Sequence, residues 1–375
     1  MSTQSSIVSL MSKFRGCLLG GLVGDCFGSP YEGEMLIADE SVQKFLAKQL
    51  EEQSEKAIGF QILNYTDDTA MTKSIAQSLI EIKKFDPKDI AKRFALEYNK
   101  EPKRGYGTNV VDVFAALMLA NYEAPYEPAK RQFGGFGSYG NGGAMRVGPC
   151  AMFGYYMELD KLIELTKDSA RITHANVYGY NGAILQCLAI HQALHAHSLI
   201  KSSLDINEYL NCLIEKMTKI EIDSQHAYSV MNNITQEKPA TPFTDKLKKI
   251  KDLINNEIKG IKYPIEKIVT LLGNDVSAFK SVPTAIYAAL KGQLRIVNGF
   301  DSKSPLVRTV YNAIILGGDT DTIGSMACSI SGAINGIESI PKILLKHCES
   351  SDIMEKYADD LYRLVRSNHS PITSN

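Results

Sequence analysis

Two acidic clusters carry the clearest chemistry in this chain. "NYTDDTAM" places Thr66, Asp67 and Asp68 directly before a helical pattern, and "LGGDTDTIGSM" places Asp319, Asp321 and Thr322 in the same setting after two glycines. Each cluster alone reads as a helix cap, because Asp and Thr oxygens accept from orphan N–H groups and suit the positive end of the helix dipole. Together they say more. Residues i and i+2 on a regular helix point about 200° apart. Asp319 and Asp321 therefore converge only where the chain passes from loop into helix, and Gly317-Gly318 supply such a passage. Four carboxylates and two hydroxyls, with no histidine beside them, form a hard oxygen set that repels itself unless a cation neutralises it. Mg²⁺ takes such ligands, and the spacing of a calcium-binding EF-hand loop is absent. Glu32 in "GSPYEG" is a candidate further ligand or general acid/base. Its plainer reading is a loop surface residue.

A second candidate is "QFGGFGSYGNGGAMR", which contains Gly135-x-Gly137-x-x-Gly140. A dinucleotide-binding fingerprint needs a strand before these glycines and a βαβ unit around them. The preceding "YEAPYEPAKRQF" is a loop by composition, and Asp160 ends a helical pattern rather than a second strand. The glycines instead allow successive backbone N–H groups to point into one concavity and bind an anion such as a pyrophosphate. Phe133, Phe136 and Tyr139 can stack on a base, and Ser138 and Asn141 add short polar arms. An ordinary glycine-rich surface loop is the alternative. His174 in "RITHANVYGYNGA" sits at another helix start, where a cap or a core histidine is the plain reading.

Helical patterns must position these groups. Gly16, Gly20, Gly24 and Gly28 recur every four residues, as do Gly324, Cys328, Gly332 and Gly336, and Ala70, Ser74 and Ser78. Such stripes line one helical face with small residues and predict close packing or room for a ligand. Further helical periods run over 88–99, 110–120, 162–170, 182–197, 206–217, 246–258, 283–290 and 305–316. The segment 246–258 is amphipathic through Leu247, Ile250, Ile254 and Ile258. Strand-like alternation is nearly absent, so the expected fold is an all-α, compact single-domain helical bundle. The best breakpoint, "TQEKPATPFTD", is read as a surface loop at about 233–245 inside one domain spanning 12–366. Flexible ends are expected at 1–11 and 367–375.

The 375 residues carry a net charge of −1, which gives no hint of a nucleic-acid or membrane partner. The run "CLLGGLVG" is too short to span a bilayer, and no signal-peptide pattern is visible. Seven scattered cysteines without a C-x-x-C pair read as reduced thiols of an intracellular protein, mostly in the core.

"GCLLGGLVGDCFGSPYEG", "YTDDTAM", "THANVYGYNGAI" and "LGGDTDTIGSMACS" resemble the ADP-ribosylglycohydrolases. "EPKRGYGTNVVDVF", "QFGGFGSYGNGGAMRVGP" and "LGNDVSAFKSVPTAIYAAL" resemble the type 3 branch, the ADP-ribosylserine hydrolases. The matches run in order from about residue 12 to 340, and 218–262 match less well. The resemblance implies a binuclear Mg²⁺ site in an all-α domain. Thr66, Asp67 and Asp68 would hold one ion, Asp319 and Thr322 the other, and Asp321 both, with Glu32 catalytic beside them. It implies that Gly137, Ser138, Tyr139, Gly140 and Asn141 hold the diphosphate and ribose of ADP-ribose. Phe133 and Tyr139 would flank adenosine, His174 the ribose or phosphates, and Gly105 would give a backbone contact. The implied activity is hydrolysis of ADP-ribosylserine on proteins and of poly(ADP-ribose), with O-acetyl-ADP-ribose a further substrate. ADP-ribosylarginine hydrolysis, or a non-catalytic ADP-ribose-binding or structural member of the fold, is the alternative. The expected protein is a monomer without membrane or sequence-specific nucleic-acid binding, in nucleus and cytoplasm, with mitochondria a further compartment.

Overall fold

The computed structural model describes residues 8–51, 60–196, 204–232 (backbone only from 225), 240–295 and 300–369. The helices are α1 (Leu10–Gly28), α2 (Asp39–Leu50), α3 (Asp67–Ile82), α4 (Pro87–Lys100), α5 (Thr108–Leu119), α6 (Glu127–Lys130), α7 (Gly148–Phe153), α8 (Leu159–Arg171) and α9 (Val177–His195). They continue as α10 (Ile206–Asn232), α11 (Pro242–Ile258), α12 (Ile265–Leu272), α13 (Ala278–Gln293), α14 (Pro305–Ile314), α15 (Thr320–Asn335), α16 (Lys342–His347) and α17 (Ser351–Asn368). Among the described residues the only β-type pairings are two isolated bridges, Leu63 with Cys348 and Gly140 with Ser277. The all-α expectation holds.

Local chemistry starts many of these helices. Asp86 accepts from the N–H groups of Lys88 and Asp89 and is followed by Pro87, so α4 begins there. Ile90, Ala91, Phe94 and Ala95 then form its buried stripe. Asn176 caps α9 and Ser304 caps α14 in the same way.

Three expectations shift. Helix α13 begins at Ala278 and carries Pro283 inside it, rather than starting at that proline. Ile258 closes α11 and is 55 % exposed, because the chain leaves the helix there, while Leu247, Ile250 and Ile254 are buried as read. Of the expected loop, 233–239 lie outside the described residues and 242–245 are the first turn of α11.

Helices α1 and α15 form the centre. Both are buried around nearly their whole circumference, as expected of helices that are apolar on every side. They run antiparallel with their glycine stripes in register. A Cβ on Gly16 would lie 2.3 Å from the Gly332 carbonyl oxygen, one on Gly20 2.4 Å from that of Cys328, and one on Gly24 2.1 Å from that of Gly324. Glycine costs about 1 kcal/mol per helical position against alanine, and here the cost is offset by backbone-to-backbone packing. Helices α9, α13 and α14 pack around α15, and α17 against α1. Six cysteines are buried and Cys212 is partly so, all as free thiols.

Candidate active site

The glycine seam decides where the end of α1 lies. At its last step a Cβ on Gly28 would sit 2.4 Å from the Thr320 carbonyl oxygen and 2.6 Å from the Asp321 Cα. The start of α15 therefore touches the end of α1. A single turn, Ser29–Tyr31, then carries the chain to Glu32. The Gly33 N–H donates to the Gly318 carbonyl and the Gly318 N–H to the Glu34 carbonyl, each at 2.8 Å, which ties the Glu32 loop to the turn before α15. Gly317 (φ +65°) and Gly318 (φ +76°) make that turn in the left-handed region that glycine tolerates. As a result Asp319 and Asp321 converge. Oxygens of Glu32, Asp319 and Asp321 all lie within 4.8 Å of one another.

The second acidic helix start is held to the first. Thr66 caps α3, its hydroxyl accepting from the Asp68 N–H. The Thr322 hydroxyl donates to Asp68 Oδ2 at 3.2 Å, and Asn141 Nδ2 donates to Asp319 Oδ2 at 2.5 Å and to Ser281 Oγ at 3.0 Å. Asp67 receives its place through its N–H, which donates to the Arg104 carbonyl at 2.7 Å. The Arg104 side chain is itself fixed, paired with both oxygens of Glu349 and stacked 3.8 Å over the Tyr65 ring.

Electrostatically this is a carboxylate cluster that resists ionisation. Burial, then the charge of Asp319, pushes Asp321 up to about 8. Burial and Asp321 push Asp25 up to about 7. Asp67 and Asp68 lie well above the ordinary range, first from burial and then from neighbouring aspartates. Asp319 is raised by burial, and Glu32 by burial and Asp321. Asp68 Oδ1 is buried without a hydrogen-bond partner among the described residues. An orphaned oxygen among crowded carboxylates fits a hard divalent cation, which would satisfy the orphan and replace the protons. Glu32, Asp319 and Asp321 form an acidic group able to hold a metal ion.

A cleft of about 480 Å³ opens over this group. Its walls include Glu32, Asp67, Asp319, Asp321 and Thr322, and, from the other candidates, Gly105, Phe133, Ser138, Tyr139, Gly140, Asn141 and His174. Thr66, Asp68 and Gly137 are not among its walls; Thr66 and Asp68 are buried, and Thr66 lines a neighbouring cleft with Glu32 and Gly105. A larger cleft of about 850 Å³, beside Leu36, Tyr263 and Tyr311, contains none of these residues.

The glycine loop is braced from two sides. The Ala278 N–H donates to the Tyr139 carbonyl and the Asn141 N–H to the Val276 carbonyl, while the Asn176 N–H donates to the Ser138 carbonyl. Gly137 (φ +71°) turns the chain, and a Cβ there would meet the Asn176 nitrogen at 2.7 Å. The N–H groups of Ser138 and Tyr139 donate to no protein atom among the described residues. Two adjacent free donors on residues that line the cleft suit an anion. Phe133 (46 % exposed) and Tyr139 (45 %) form its apolar edge, with ring centroids 5.8 Å apart, whereas Phe136 is 69 % exposed and stands outside the cleft lining. Asn141 lines the cleft, and its Nδ2 is engaged by Asp319.

Two buried charges escaped the sequence reading. Asp25 is fully buried and accepts from the Thr66 and Thr69 N–H groups and, at 2.6 Å, from the Thr69 hydroxyl, so it moors the start of α3 to α1. Its signal was the one acidic residue of the glycine-striped helix, set after the uncharged run from Gly16 to Gly24. Arg146 is also fully buried, with its guanidinium 4.5 Å over the Phe94 ring, and it lines the cleft.

The ADP-ribosylglycohydrolase family matches residues 7–371. ADP-ribosylhydrolase ARH3 of Mus musculus is 39 % identical over 96 % of this chain and 93 % of its own length. The Homo sapiens protein of that name is 39 % identical over 96 % and 95 %, and the Gallus gallus one 40 % over 94 % and 93 %. Among solved structures, an "ADP-ribosylglycohydrolase-related protein complex" superposes with a TM-score of 0.63 over 95 % of this chain and 99 % of that one, at 20 % identity, a likeness of fold. No helix among the described residues is long and apolar enough to cross a membrane. With two acidic helix starts brought together under a glycine-loop cleft, and a match along nearly its whole length, this chain belongs to the ADP-ribosylglycohydrolase family.

Proposed function

We propose that this protein is a Mg²⁺-dependent hydrolase that cleaves the ribose C1″–O bond of ADP-ribosylserine on proteins and of poly(ADP-ribose). The observation that carries the reading is the acidic group of Glu32, Asp319 and Asp321 at one end of a cleft whose wall offers two free N–H donors. The similarity to proteins named ADP-ribosylhydrolase ARH3 supports the substrate class. In this reading Thr66, Asp67, Asp68, Asp319, Asp321 and Thr322 hold two Mg²⁺ ions. When bound, the ions would supply positive charge able to orient the ribose hydroxyls and a water molecule.

The protein's own groups do the rest. The Ser138 and Tyr139 N–H groups bind the diphosphate, and Phe133 and Tyr139 face the adenine ring. His174 donates to a phosphate or ribose oxygen, and Gly105, beside Asp67, offers backbone to the ribose. The C1″–O bond breaks through an oxocarbenium-like transition state. Water adds hydroxide to C1″ and the serine oxygen takes a proton. Glu32, whose carboxyl is raised by burial and by Asp321, serves that transfer.

The deciding experiment follows ADP-ribose release from serine-linked and arginine-linked peptides, with and without Mg²⁺. Release from the serine-linked peptide that stops on chelation is expected. Release from the arginine-linked peptide alone would overturn the substrate, and full activity in chelator would overturn the metal.

A further inference from the structure

His174 lines the cleft beside Gly140 and Gly142: Cβ atoms on those glycines would lie 3.4 and 3.1 Å from its Nε2. Its other nitrogen, Nδ1, is 2.7 Å from the Thr173 hydroxyl oxygen. That oxygen also accepts from Arg146 Nη2 at 2.8 Å, and Thr173 is fully buried. Arg146 is anchored in turn by donating to the Gly142 carbonyl at 2.9 Å and the Ser169 carbonyl at 3.2 Å.

The donor count settles the ring. A guanidinium can only donate, so the Thr173 oxygen is its acceptor. The hydroxyl proton then has one acceptor among the described residues, His174 Nδ1. Were Nδ1 protonated, the hydroxyl would receive two N–H donors and its own proton would be buried without a partner, which is costly. The nearby buried guanidinium also disfavours a charged imidazolium. Nε2 has no protein partner among the described residues.

We propose that Arg146 and Thr173 are positioning residues that lock His174 as the neutral Nε2–H tautomer, so that it presents a fixed hydrogen-bond donor to an anionic oxygen in the cleft. The identity of that oxygen, on the diphosphate or ribose of ADP-ribose, rests on the function proposed above. The tautomer does not. With Nε2–H in place, His174 adds a further donor to the cleft that Ser138 and Tyr139 also line, and adds no charge of its own.

The test is nitrogen NMR of the imidazoles in the full chain labelled at histidine, with the His174 signals assigned by their loss in His174→Gln. The expected pattern is a protonated Nε2 and a bare Nδ1 in the free protein. Thr173→Val should mix the tautomers and weaken ADP-ribose binding, by calorimetry, about tenfold or more. Thr173→Ser, which keeps the hydroxyl, should restore both. A wild-type ring protonated at Nδ1 or at both nitrogens overturns the proposal, and so does Thr173→Val with the Nε2–H pattern and affinity unchanged. If Thr173→Val fails to fold, the wild-type spectrum decides. A wild-type protein that shows the Nε2–H pattern but does not bind ADP-ribose supports the relay and overturns the substrate reading instead.

Discussion

Gly24 on α1 faces Gly324 on α15 with no room for a methyl group: a Cβ on Gly24 would lie 2.1 Å from the Gly324 carbonyl oxygen. The obstacle is backbone, so neither helix can yield locally. Gly24→Ala should lower stability by about 1–3 kcal/mol or more. Because the same seam sets Glu32 against Asp321, turnover should fall as well, even below the unfolding temperature. Thermal unfolding and steady-state kinetics on the same preparation check this. A variant of normal stability and activity would mean the seam is looser than described.

Replacing Asp67 or Asp321 with Asn removes one negative charge from the acidic helix starts and leaves the shape nearly unchanged. Either variant should fold, bind Mg²⁺ weakly by calorimetric titration, and lose turnover. Full activity of either in chelator would remove the metal from the mechanism.

Without Mg²⁺ the cluster should make stability fall as pH rises. The carboxyls of Asp25 and Asp321 are raised in the folded chain, to about 7 and about 8, above their ordinary value of 3.8. The folded state then binds more protons than the unfolded one, so the stability these groups contribute is complete below their unfolded values and is lost as pH climbs through the folded ones. Denaturant titrations in chelator between about pH 4 and 8 should show this decline, and saturating Mg²⁺ should remove it. A flat profile in chelator would mean the carboxylates are compensated by other groups.

His174 gives the opposite limb. Burial, then Arg146, lowers its folded value from 6.5 to about 3. Its contribution is therefore present above 6.5 and is lost as pH falls toward 3, because the unfolded chain takes up the proton first. His174→Gln should make the acid-side decline shallower in Mg²⁺-saturated protein. An unchanged acid limb would show that the ring is accessible to protonation in the folded chain.

Glu32→Gln tests proton transfer separately from binding. Turnover should drop by about 10² or more while ADP-ribose affinity survives. Unchanged turnover with collapsed affinity would make Glu32 a binding residue. In the glycine loop, Gly137→Val should damage ADP-ribose affinity more than Ser138→Ala. The valine is strained both by φ +71° and by the Asn176 nitrogen 2.7 Å away, whereas the Ser138 hydroxyl accepts the Gly140 N–H and has no other partner among the described residues. Equal affinities in folded variants would return this loop to a surface turn.

Much of this architecture was legible from local pattern. The acidic helix starts, the caps, the amphipathic stripe of α4 and the glycine recurrence of α1 all arise from residues within a turn or two of each other. Gly317-Gly318 could be read as the turn that lets Asp319 and Asp321 converge, because positive φ is a local demand that glycine meets. The pairings across the chain were not legible. Three small-residue stripes were visible, and only packing selected α1 against α15, with Gly24 opposite Gly324 and Gly16 opposite Gly332. Asp25 was given no role by its local sequence. It becomes the mooring of α3 when α1 delivers it to backbone N–H groups 41 residues away. Nothing local announced that the Asn141 amide also braces Asp319, 178 residues further on. Arg146 read as nothing at all until folding placed it against the Thr173 hydroxyl. Helical periodicity is set by neighbours three and four positions apart, so sequence states it directly. Which buried donor meets which buried acceptor depends on how separate helices pack, and that is decided only when the whole core closes around them.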